Sequence, residues 1–258
     1  MNSDKSSHIK SIIDVCHRLY NKGFVTSTDG NVSVRLLPTE SGLESGTFLT
    51  TRIGINKGMV SADDMIEVDS EGNVVSGKYR PSTELTMHLY IYLQRNDVNA
   101  VVHAHPPYAT GFATARQPLT GCLFPEVIIG LGAIPLAEYA TPSTIEVIKS
   151  IEPFVNQADA ILLANHGVVT YGKDLLDAYF KMEKVEHAAH ITFVARMLGG
   201  ERLLSKEDVG KLKAISIESY GKDFTEKIAC KLADNITFRT ETEEDVRKFI
   251  RKILNKED

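Results

Sequence analysis

The first part of the chain carries apolar residues at helical spacing. Six of them return every three or four positions: Ile9, Ile12, Ile13, Cys16, Leu19 and Tyr20. Residues at this spacing share one face of a helix, and Gly23 follows as a stop signal. The pattern therefore predicts an amphipathic helix that ends shortly before Gly23.

Short apolar or alternating runs predict strands. They cover residues 32–36, 47–51, 66–69, 73–75, 98–102 and 160–164. The third and fourth runs are separated by Ser70, Glu71 and Gly72, which is typical of a hairpin. The last two runs are short and rich in branched apolar side chains, so we expect both strands to be buried.

Longer patterns predict helices between and after these strands. Ser82 or Thr83 can cap a helix that runs to about residue 95, and residues 173–198 form one long helical pattern that Gly199 and Gly200 close. From about residue 205 to the end, the pattern is helical and charged. The early strands follow one another through short links, whereas the later strands alternate with helices. We therefore expect a mixed or antiparallel sheet covered by helices, in a single domain.

Composition and charge exclude several classes of function. The chain has 258 residues, of which 43% are hydrophobic and 24% are charged, with a net charge of −5. This charge gives no basic surface for a nucleic acid, and no apolar run reaches the roughly 20 residues of a membrane span. The polar N-terminus lacks the apolar core of a signal peptide. Cys16, Cys122 and Cys230 are widely spaced, which indicates no disulfide framework and favours a reducing cytoplasm.

Three histidines follow the two buried strands. His103 and His105 come directly after one of them, and His166 follows the other. If the extended backbone continues through Ala104, the two-residue period of a strand places His103 and His105 on one face. A single histidine at a strand end is more often a hydrogen-bonded residue, and it is the His-x-His pair that favours a metal. Three imidazoles and a separate carboxylate are typical of a catalytic metal site with one open position.

Glu84 is the candidate carboxylate, and loops near it are candidates for binding an anion. Glu84 follows Ser82 and Thr83 at a predicted helix N-terminus, where free N–H groups favour negative charge, although ordinary capping explains the same residues. Two further loops lie at strand ends: one comes directly before the predicted strand at residues 32–36, and the other lies at the end of the predicted strand at residues 47–51. They contain Gly30 and Asn31, and Thr51, Arg52 and Gly54. Together the three loops could bind one phosphate, while a plain tight turn is the alternative for Gly30 and Asn31.

Taken in order, four motifs resemble those of the class II aldolase/adducin family, and within it the zinc-dependent aldolases. The motifs are Gly30-Asn31-Val32-Ser33, Pro81-Ser82-Thr83-Glu84, His103-Ala104-His105 and Asn165-His166-Gly167. Each motif is weak or moderate alone, but their order and spacing together make a specific signal over residues 8–221. The resemblance implies a three-layer α/β/α fold with a mixed, largely antiparallel sheet. It also implies a catalytic domain over residues 1–221, and leaves residues 222–258 as a helical extension.

The resemblance also implies the chemistry of the site. One zinc ion per subunit, with another divalent metal such as manganese or cobalt as the alternative, would be held by His103, His105 and His166. Glu84 would act as acid and base and also touch the metal. Tyr220, in a Tyr-Gly pair, would serve the neighbouring subunit of a homotetramer. The expected reaction is cleavage of a short ketose 1-phosphate, similar to L-fuculose 1-phosphate, to dihydroxyacetone phosphate and an aldehyde. We expect no nucleic-acid or membrane partner.

Two departures from the aldolase pattern keep other reactions open. Ile53 stands where a Ser or Thr usually precedes the glycine of the anion loop, and Phe124 stands where a proton-donating tyrosine is expected. Tyr108 or Tyr139 could compensate for Phe124. A decarboxylase, a pentulose-phosphate 4-epimerase or a dehydratase of the same fold is the alternative, since Arg52 could bind a carboxylate. A non-catalytic, adducin-like binding module is the alternative from another class.

A group of polar residues in the long C-terminal helical pattern is a further metal candidate. It consists of Glu183, Glu186, His187 and His190. No other segment offers a ligand to this group, so we interpret it as a polar face or a helix interface. His88 lies one helical turn beyond Glu84 and either orients it or faces solvent.

Overall fold

The computed structural model describes residues 3–37 and 46–220. Eight strands within these residues form one sheet: β1 (Asn31–Leu36), β2 (Thr47–Thr51), β3 (Met65–Val68), β4 (Val74–Ser76), β5 (Ala100–Ala104), β6 (Leu136–Ala137), β7 (Ala160–Leu163) and β8 (Gly167–Gly172). Their order is β4-β3-β2-β1-β5-β8-β7-β6. Every neighbouring pair is antiparallel except β6 and β7, which are parallel. The predicted mixed, largely antiparallel sheet is confirmed.

Helices cover both faces of this sheet. They are α1 (Ser3–Asn21), α2 (Leu85–Gln94), α3 (Pro107–Thr114), α4 (Pro125–Gly130), α5 (Ile145–Val155), α6 (Leu175–Met197) and α7 (Lys206–Tyr220), with short 3₁₀ turns at Lys57–Met59 and Ala62–Asp64. One core packs α1, α3, α4 and α6 against one face of the sheet. A second core packs α2 and α5 against the other face. The expected three-layer arrangement is therefore present.

The alternation of side chains along the central strands decides what each core contains. On β5, Val102 and Ala104 point into the core with α1 and α6, whereas Val101 points into the core with α2 and α5. His103 has the same parity as Val101, so it lies on the α2 side of the sheet and is fully buried. An imidazole thereby lies inside the molecule, directly under the first turn of α2.

Some predicted boundaries are wrong by a residue or two. The strand predicted at residues 98–102 is β5 at residues 100–104, so the extended backbone does continue through Ala104. The helix predicted to start from Ser82 or Thr83 begins at Leu85, and Glu84 occupies its N-cap position without a capping side-chain bond. The residues before Glu84 pair instead with the loop after β2, where Ile53 N–H donates to the carbonyl of Arg80 at 3.0 Å. Strand-like pairing has displaced the helix start.

The expectation for the cysteines also needs correction. Cys122 is disulfide-bonded. Cys16 has a free thiol that is fully buried in α1, and burial raises its pKa to about 12, against the opposing charge of Lys57. A disulfide depends on how close two residues lie in space, so wide sequence spacing without a CxxC pair does not exclude one. Among the described residues, no helix is long and apolar enough to cross a membrane.

Candidate active site

His103 and His105 come together where β5 ends. The Nδ1–H of His103 donates to the carbonyl of Val168 on β8 at 2.9 Å, which leaves its Nε2 with a lone pair. The Nε2 of His105 lies 3.2 Å from this atom. The backbone of His105 is fixed because its N–H donates to the carbonyl of Phe24 at 2.8 Å. The two imidazoles therefore face one another, as the two-residue spacing predicts.

His166 reaches the same point from the turn between β7 and β8. Leu163 pairs with Gly167 across this turn, and His166 N–H donates to the carbonyl of Leu163 at 3.0 Å. Asn165 takes a positive φ of 55°, a conformation that asparagine tolerates better than most residues. This left-handed residue turns the backbone sharply enough to place the His166 ring 4.7 Å from the ring of His103.

The three histidines can hold a metal ion. One ring nitrogen from each of His103, His105 and His166 lies within 4.8 Å of the other two. Burial lowers the pKa of His103 to about 3, against the opposing charge of Glu84, and burial also lowers the pKa of His105. Neutral imidazoles with converging nitrogens are the form that binds a cation, and without one the lone pairs would repel. The residues present therefore fit a divalent metal ion.

Glu84 borders this cluster from the start of α2. Its Oε1 lies 3.0 Å from Nε2 of His166, and its Oε2 lies 3.5 Å from Nε2 of His103. The side-chain amide of Asn31 donates to the same Oε2 at 2.9 Å. Burial by itself would raise the pKa of Glu84, but the neighbouring imidazoles and the Asn31 amide outweigh it and lower the pKa well below 4.5. A partly buried, ionised carboxylate thus lies within reach of a metal ion held by the three histidines.

The loop that contains Gly30 and Asn31 lies against the histidines. Gly30 has a φ of +71°, and a Cβ at this position would lie 2.7 Å from the carbonyl oxygen of His103. Only glycine fits such a close approach in this conformation. Asn31 pairs with His103 across β1 and β5, and its buried Oδ1 has no hydrogen-bond partner. This free acceptor is available to a ligand hydroxyl.

The loop after β2 is placed beside the Glu84 loop, but its side chains are largely engaged. The buried Thr51 hydroxyl faces the N–H of Val32 at 3.4 Å. Arg52 donates to Asp64 at 2.6 Å, and its guanidinium stacks over Tyr79. Gly54 has a φ of +69° and open space around it. Thr51 therefore points back into the sheet, and the charge of Arg52 is already partly neutralised.

Ser82 and Thr83 line a groove between these loops, together with Ile53 and Arg80. The hydroxyl of Ser82 accepts from the N–H of Glu84 at 3.3 Å. The hydroxyl of Thr83 accepts from Ser143 at 2.7 Å. The structure thus brings two of the three predicted anion loops to one groove, and gives Asn31 of the third loop a contact with Glu84.

Two residues near the site, Asp29 and Lys57, are absent from the predicted functional set, and for a third, His88, the sequence leaves two alternatives open. Asp29 places its Oδ2 3.7 Å from Nδ1 of His105, on the far side of the ring from the other histidines. Lys57 is buried and donates to the carbonyls of Ile55 at 2.9 Å and Thr28 at 3.4 Å, so it joins two of the loops. His88 is fully buried rather than facing solvent. Asp29 directly precedes Gly30 in the sequence and could have been noticed, whereas nothing in the sequence distinguishes Lys57.

The polar residues of α6 form a helix interface. Glu186 accepts from the backbone N–H groups of Tyr108 at 3.0 Å and Ala109 at 2.8 Å, at the start of α3. His190 stacks on the ring of Tyr108 with centroids 3.9 Å apart. Within residues 3–37 and 46–220, His103, His105 and His166 are the one cluster able to hold a metal. The interpretation of these α6 residues as an interface agrees with these contacts.

The predicted tyrosine roles are not tested by the geometry. Tyr220 ends α7, and its side chain lies outside the described part of the chain. Phe124 packs on the core with α1 and α6, as does Tyr108. Tyr139 is exposed. Among the described contacts, none joins the rings of Phe124, Tyr108 or Tyr139 to the three histidines.

Comparison with known proteins identifies the family. The model of the class II aldolase and adducin N-terminal domain matches residues 10–193. The chain belongs to this family. The L-fuculose phosphate aldolase of Methanocaldococcus jannaschii is 36% identical over 72% of this chain and 95% of its own length. A 3-oxo-tetronate 4-phosphate decarboxylase from Pectobacterium atrosepticum is 30% identical over 75% of this chain and 86% of its own.

Solved structures agree with this assignment. An L-fuculose 1-phosphate aldolase superposes with a TM-score of 0.72 at 31% identity, and the match covers 86% of this chain and 98% of that one. Class II aldolases and the decarboxylases related to them are lyases, and this chain is an enzyme of that class. An adducin-like module without catalysis is thereby set aside.

Proposed function

We propose that this class II aldolase is a zinc enzyme that cleaves a short ketose 1-phosphate, similar to L-fuculose 1-phosphate, to dihydroxyacetone phosphate and an aldehyde. The observation that carries the proposal is the convergence of His103, His105 and His166 beside the ionised carboxylate of Glu84. The aldolase relatives support the reaction and the substrate class. Three converging imidazoles suit zinc among the divalent metals, and Glu84 is close enough to be a fourth ligand.

The three histidines would hold the cation with one position open to substrate. When bound, it acts as a Lewis acid that polarises the ketose carbonyl and stabilises the negative charge on oxygen while the C–C bond breaks. Glu84 moves the proton to or from the carbon that loses this bond, because its carboxylate is ionised and lies next to the cation site. Asn31 fixes Glu84 through one amide hydrogen and offers its free oxygen to a substrate hydroxyl.

Phosphate binding is the remaining part of the proposal. Ser82 and Thr83 have hydroxyl groups in the groove beside Glu84, and Gly54 leaves its backbone open to a ligand. Gly30 lets the backbone approach closely. Thr51 and Arg52 stay in the proposed set as parts of the same loop. The Arg52 guanidinium donates to Asp64 and to the carbonyl of Ile53, and its other N–H groups are the ones proposed to bind the phosphate. Holding the phosphate here would fix the reacting carbon beside the histidines.

The wider organisation also belongs to the proposal. The family match to residues 10–193 supports a catalytic domain over residues 1–221. The helical extension at residues 222–258 lies outside the described residues. The resemblance favours a homotetramer in which Tyr220 serves a neighbouring site, and we propose a cytoplasmic location. Sedimentation equilibrium tests the tetramer, and cell fractionation tests the location.

A metal-dependent decarboxylase is the second candidate. The relative from Pectobacterium favours it, and so does Arg52, whose guanidinium could hold a carboxylate if it exchanged Asp64 for substrate. The loss of CO₂ needs no proton donor on the aldehyde side, which suits the phenylalanine at position 124.

One assay separates the two reactions. Zinc-loaded protein is incubated with L-fuculose 1-phosphate, with other ketose 1-phosphates and with 3-oxo-tetronate 4-phosphate, and dihydroxyacetone phosphate and CO₂ are both measured. We expect dihydroxyacetone phosphate from a ketose phosphate, and a loss of about 1000-fold in Glu84→Gln, consistent with removal of a catalytic acid–base. Release of CO₂ alone would establish the decarboxylase. No product from any of these substrates would contradict both.

A further inference from the structure

A ladder of polar side chains joins β1 to α2 below Glu84. Asn31 contacts Glu84, and Ser33 contacts both His88 and Tyr92. Alternate residues of a strand lie about 6.6 Å apart, and residues one turn apart on a helix lie about 6 Å apart. The two repeats nearly match, so polar residues two apart on β1 meet polar residues four apart on α2.

The hydrogen bonds of this ladder have one consistent direction. Tyr92 OH and Ser33 Oγ are 2.9 Å apart, and Ser33 Oγ and Nδ1 of His88 are 2.7 Å apart. The phenol proton of Tyr92 needs an acceptor in this buried site, and Ser33 provides it. The Ser33 hydroxyl then donates to Nδ1 of His88. Because burial lowers the pKa of His88 to about 4, the neutral ring carries its single proton on Nε2.

The Nε2–H of His88 has no partner. His88 is fully buried, and Nε2 is one of the few buried polar atoms in the described residues without a hydrogen bond. A buried unsatisfied donor costs about 1–3 kcal/mol, so its presence requires an explanation. The ring is close enough to Glu84 and His103 to interact electrostatically with both.

Cation binding changes what surrounds Glu84. In the structure, Nε2 of His166 and Nε2 of His103 lie next to the two Glu84 oxygens. A cation needs the lone pairs of these same nitrogens, and a nitrogen that ligates a metal has no proton to donate. Nε2 of His103 already carries a lone pair, so the donor that Glu84 loses when the site fills is Nε2 of His166. The amide of Asn31 stays, and the unpartnered Nε2–H of His88 is available to complete the set.

We propose that His88 is a positioning residue, which Ser33 and Tyr92 fix so that its Nε2–H donates to the carboxylate of Glu84 once the three imidazoles hold a cation. A carboxylate held this way keeps its orientation for proton transfer, as partners of metal-site carboxylates commonly do. The inference rests on the proposed metal site, and it does not depend on which substrate the enzyme cleaves.

The direct test observes the His88 proton by NMR. Protein labelled with ¹⁵N in histidine is titrated with Zn²⁺, and the His88 ring signals are assigned by their loss in His88→Asn. We expect the metal-free protein to show a protonated Nε2 and an unprotonated Nδ1. Zinc should shift the Nε2–H proton downfield in the wild type and leave it in place in Glu84→Ala. A proton on Nδ1, or an Nε2–H that does not respond to zinc in the wild type, would overturn the inference.

Activity gives a second test with a conservative rescue. Asn at position 88 places its amide near the former Nδ1, whereas Gln reaches the former Nε2. We expect kcat to fall about 10- to 100-fold in His88→Asn, to recover at least partly in His88→Gln, and KM to stay within about threefold. Equal kcat losses in both variants, matched by equal losses in stability, would mean a structural role and contradict the inference.

Two buried tyrosines supply a matched control. Tyr92 and Tyr171 are both buried on the α2 side of the sheet, and the hydroxyl of Tyr171 donates to the carbonyl of Val155 at 3.1 Å, away from Glu84. Tyr92→Phe and Tyr171→Phe should lower the melting temperature similarly, but only Tyr92→Phe should lower kcat. If the enzyme cleaves none of the substrates while His88 responds to zinc, the proposed reaction fails and the inference on His88 stands.

Discussion

At the scale of single residues, two glycines determine how closely the histidines can approach one another. A Cβ on Gly30 would meet the carbonyl of His103, and a Cβ on Gly167 would lie 2.5 Å from Cδ2 of His105 and 2.6 Å from the carbonyl oxygen of Ala104. Real Cβ atoms do not come this close to backbone, so any side chain would displace His105 or its strand. Gly30 is itself a predicted site residue, and Gly167 directly follows the predicted ligand His166.

Replacing Gly167 with alanine should therefore weaken cation binding. We expect Gly167→Ala to lower zinc affinity about tenfold or more, because His105 must move while the other two ligands stay. Gly111 is the control: it lies in helix α3 with nothing within 4 Å of a Cβ, so Gly111→Ala should stabilise the fold by about 0.5–1 kcal/mol and leave affinity unchanged. Isothermal titration calorimetry measures both affinities. Unchanged zinc affinity in Gly167→Ala would contradict the packing argument.

The buried histidines also make the metal-free protein sensitive to mild acid. Burial lowers the pKa of His103 to about 3 and that of His88 to about 4, below the usual 6.5. Between about pH 6.5 and 4.5 the unfolded chain therefore binds protons that the folded state excludes. The free energy of unfolding should fall with decreasing pH by about 1.4 kcal/mol per unit for each such histidine.

Urea unfolding of chelator-treated protein at several pH values checks this slope. His103→Gln should make the slope shallower, whereas a change at the exposed His187 should not alter it. A pH-independent free energy of unfolding in this window would show that His103 and His88 are not held neutral by burial.

Residues in recognisable motifs can be predicted from the sequence. Residues whose role depends on contacts with distant parts of the chain cannot. The spacing of His103 and His105 predicts a shared face, and this follows from strand geometry alone. That His88 is buried rather than exposed depends on Ser33, 55 residues away, and no local pattern contains that contact. Lys57 is similar, since its two carbonyl partners matter only once two loops have been brought together.

At the scale of elements, helix α3 is anchored to α6 directly after the metal-ligand segment. Glu186 accepts from two N–H groups at the start of α3, where the helix dipole also favours a negative charge. Pro106 is the only residue between His105 and this helix. The position of α3 therefore helps to set the position of His105.

Removing this contact should affect both stability and metal binding. We expect Glu186→Ala to lower the free energy of unfolding by about 2–3 kcal/mol, as two buried, charge-assisted hydrogen bonds are lost, and to weaken zinc affinity through His105. Glu207, an exposed residue of α7 that pairs with Lys211, is the control, and Glu207→Ala should change stability by less than about 0.5 kcal/mol. Chemical unfolding and calorimetry measure the two effects. Equal effects of both substitutions would contradict the anchoring role.

The start of helix α2 shows that tertiary pairing can override a local capping signal in the sequence. The capping residues Ser82 and Thr83 predict an earlier helix start than Leu85, because sequence cannot show that Arg80 and Pro81 pair with the loop after β2. This pairing has a consequence for the site. It leaves Glu84 at the N-cap position, with its carboxylate directed to His166 and His103 rather than to its own helix.

At the scale of the whole molecule, the site is assembled from four separate parts of the sheet and its helices. These parts come together only when the sheet is complete. They are the loop before β1, the start of α2, the end of β5 and the turn between β7 and β8. The order of β1, β5 and β8 in the sheet, which makes them neighbours, could not be deduced from periodicity. A cation bound here joins parts that lie far apart along the unfolded chain.

Zinc should therefore stabilise the folded state. A ligand at about 100 times its dissociation constant that binds only the folded chain adds about 2.7 kcal/mol. We expect the melting temperature to rise with zinc concentration in the wild type and to stay constant in His166→Ala. Differential scanning calorimetry distinguishes these outcomes, and an equal rise in both proteins would place the zinc elsewhere.

The most direct measurement is cleavage activity as a function of bound zinc. Protein freed of metal by a chelator is reconstituted with increasing zinc, and ketose 1-phosphate cleavage is measured at each step with metal analysis. We predict no activity without metal and a linear rise that ends at one zinc per chain, with no rise in His103→Ala. Undiminished activity in the metal-free protein would contradict a metal-dependent aldolase built on His103, His105 and His166.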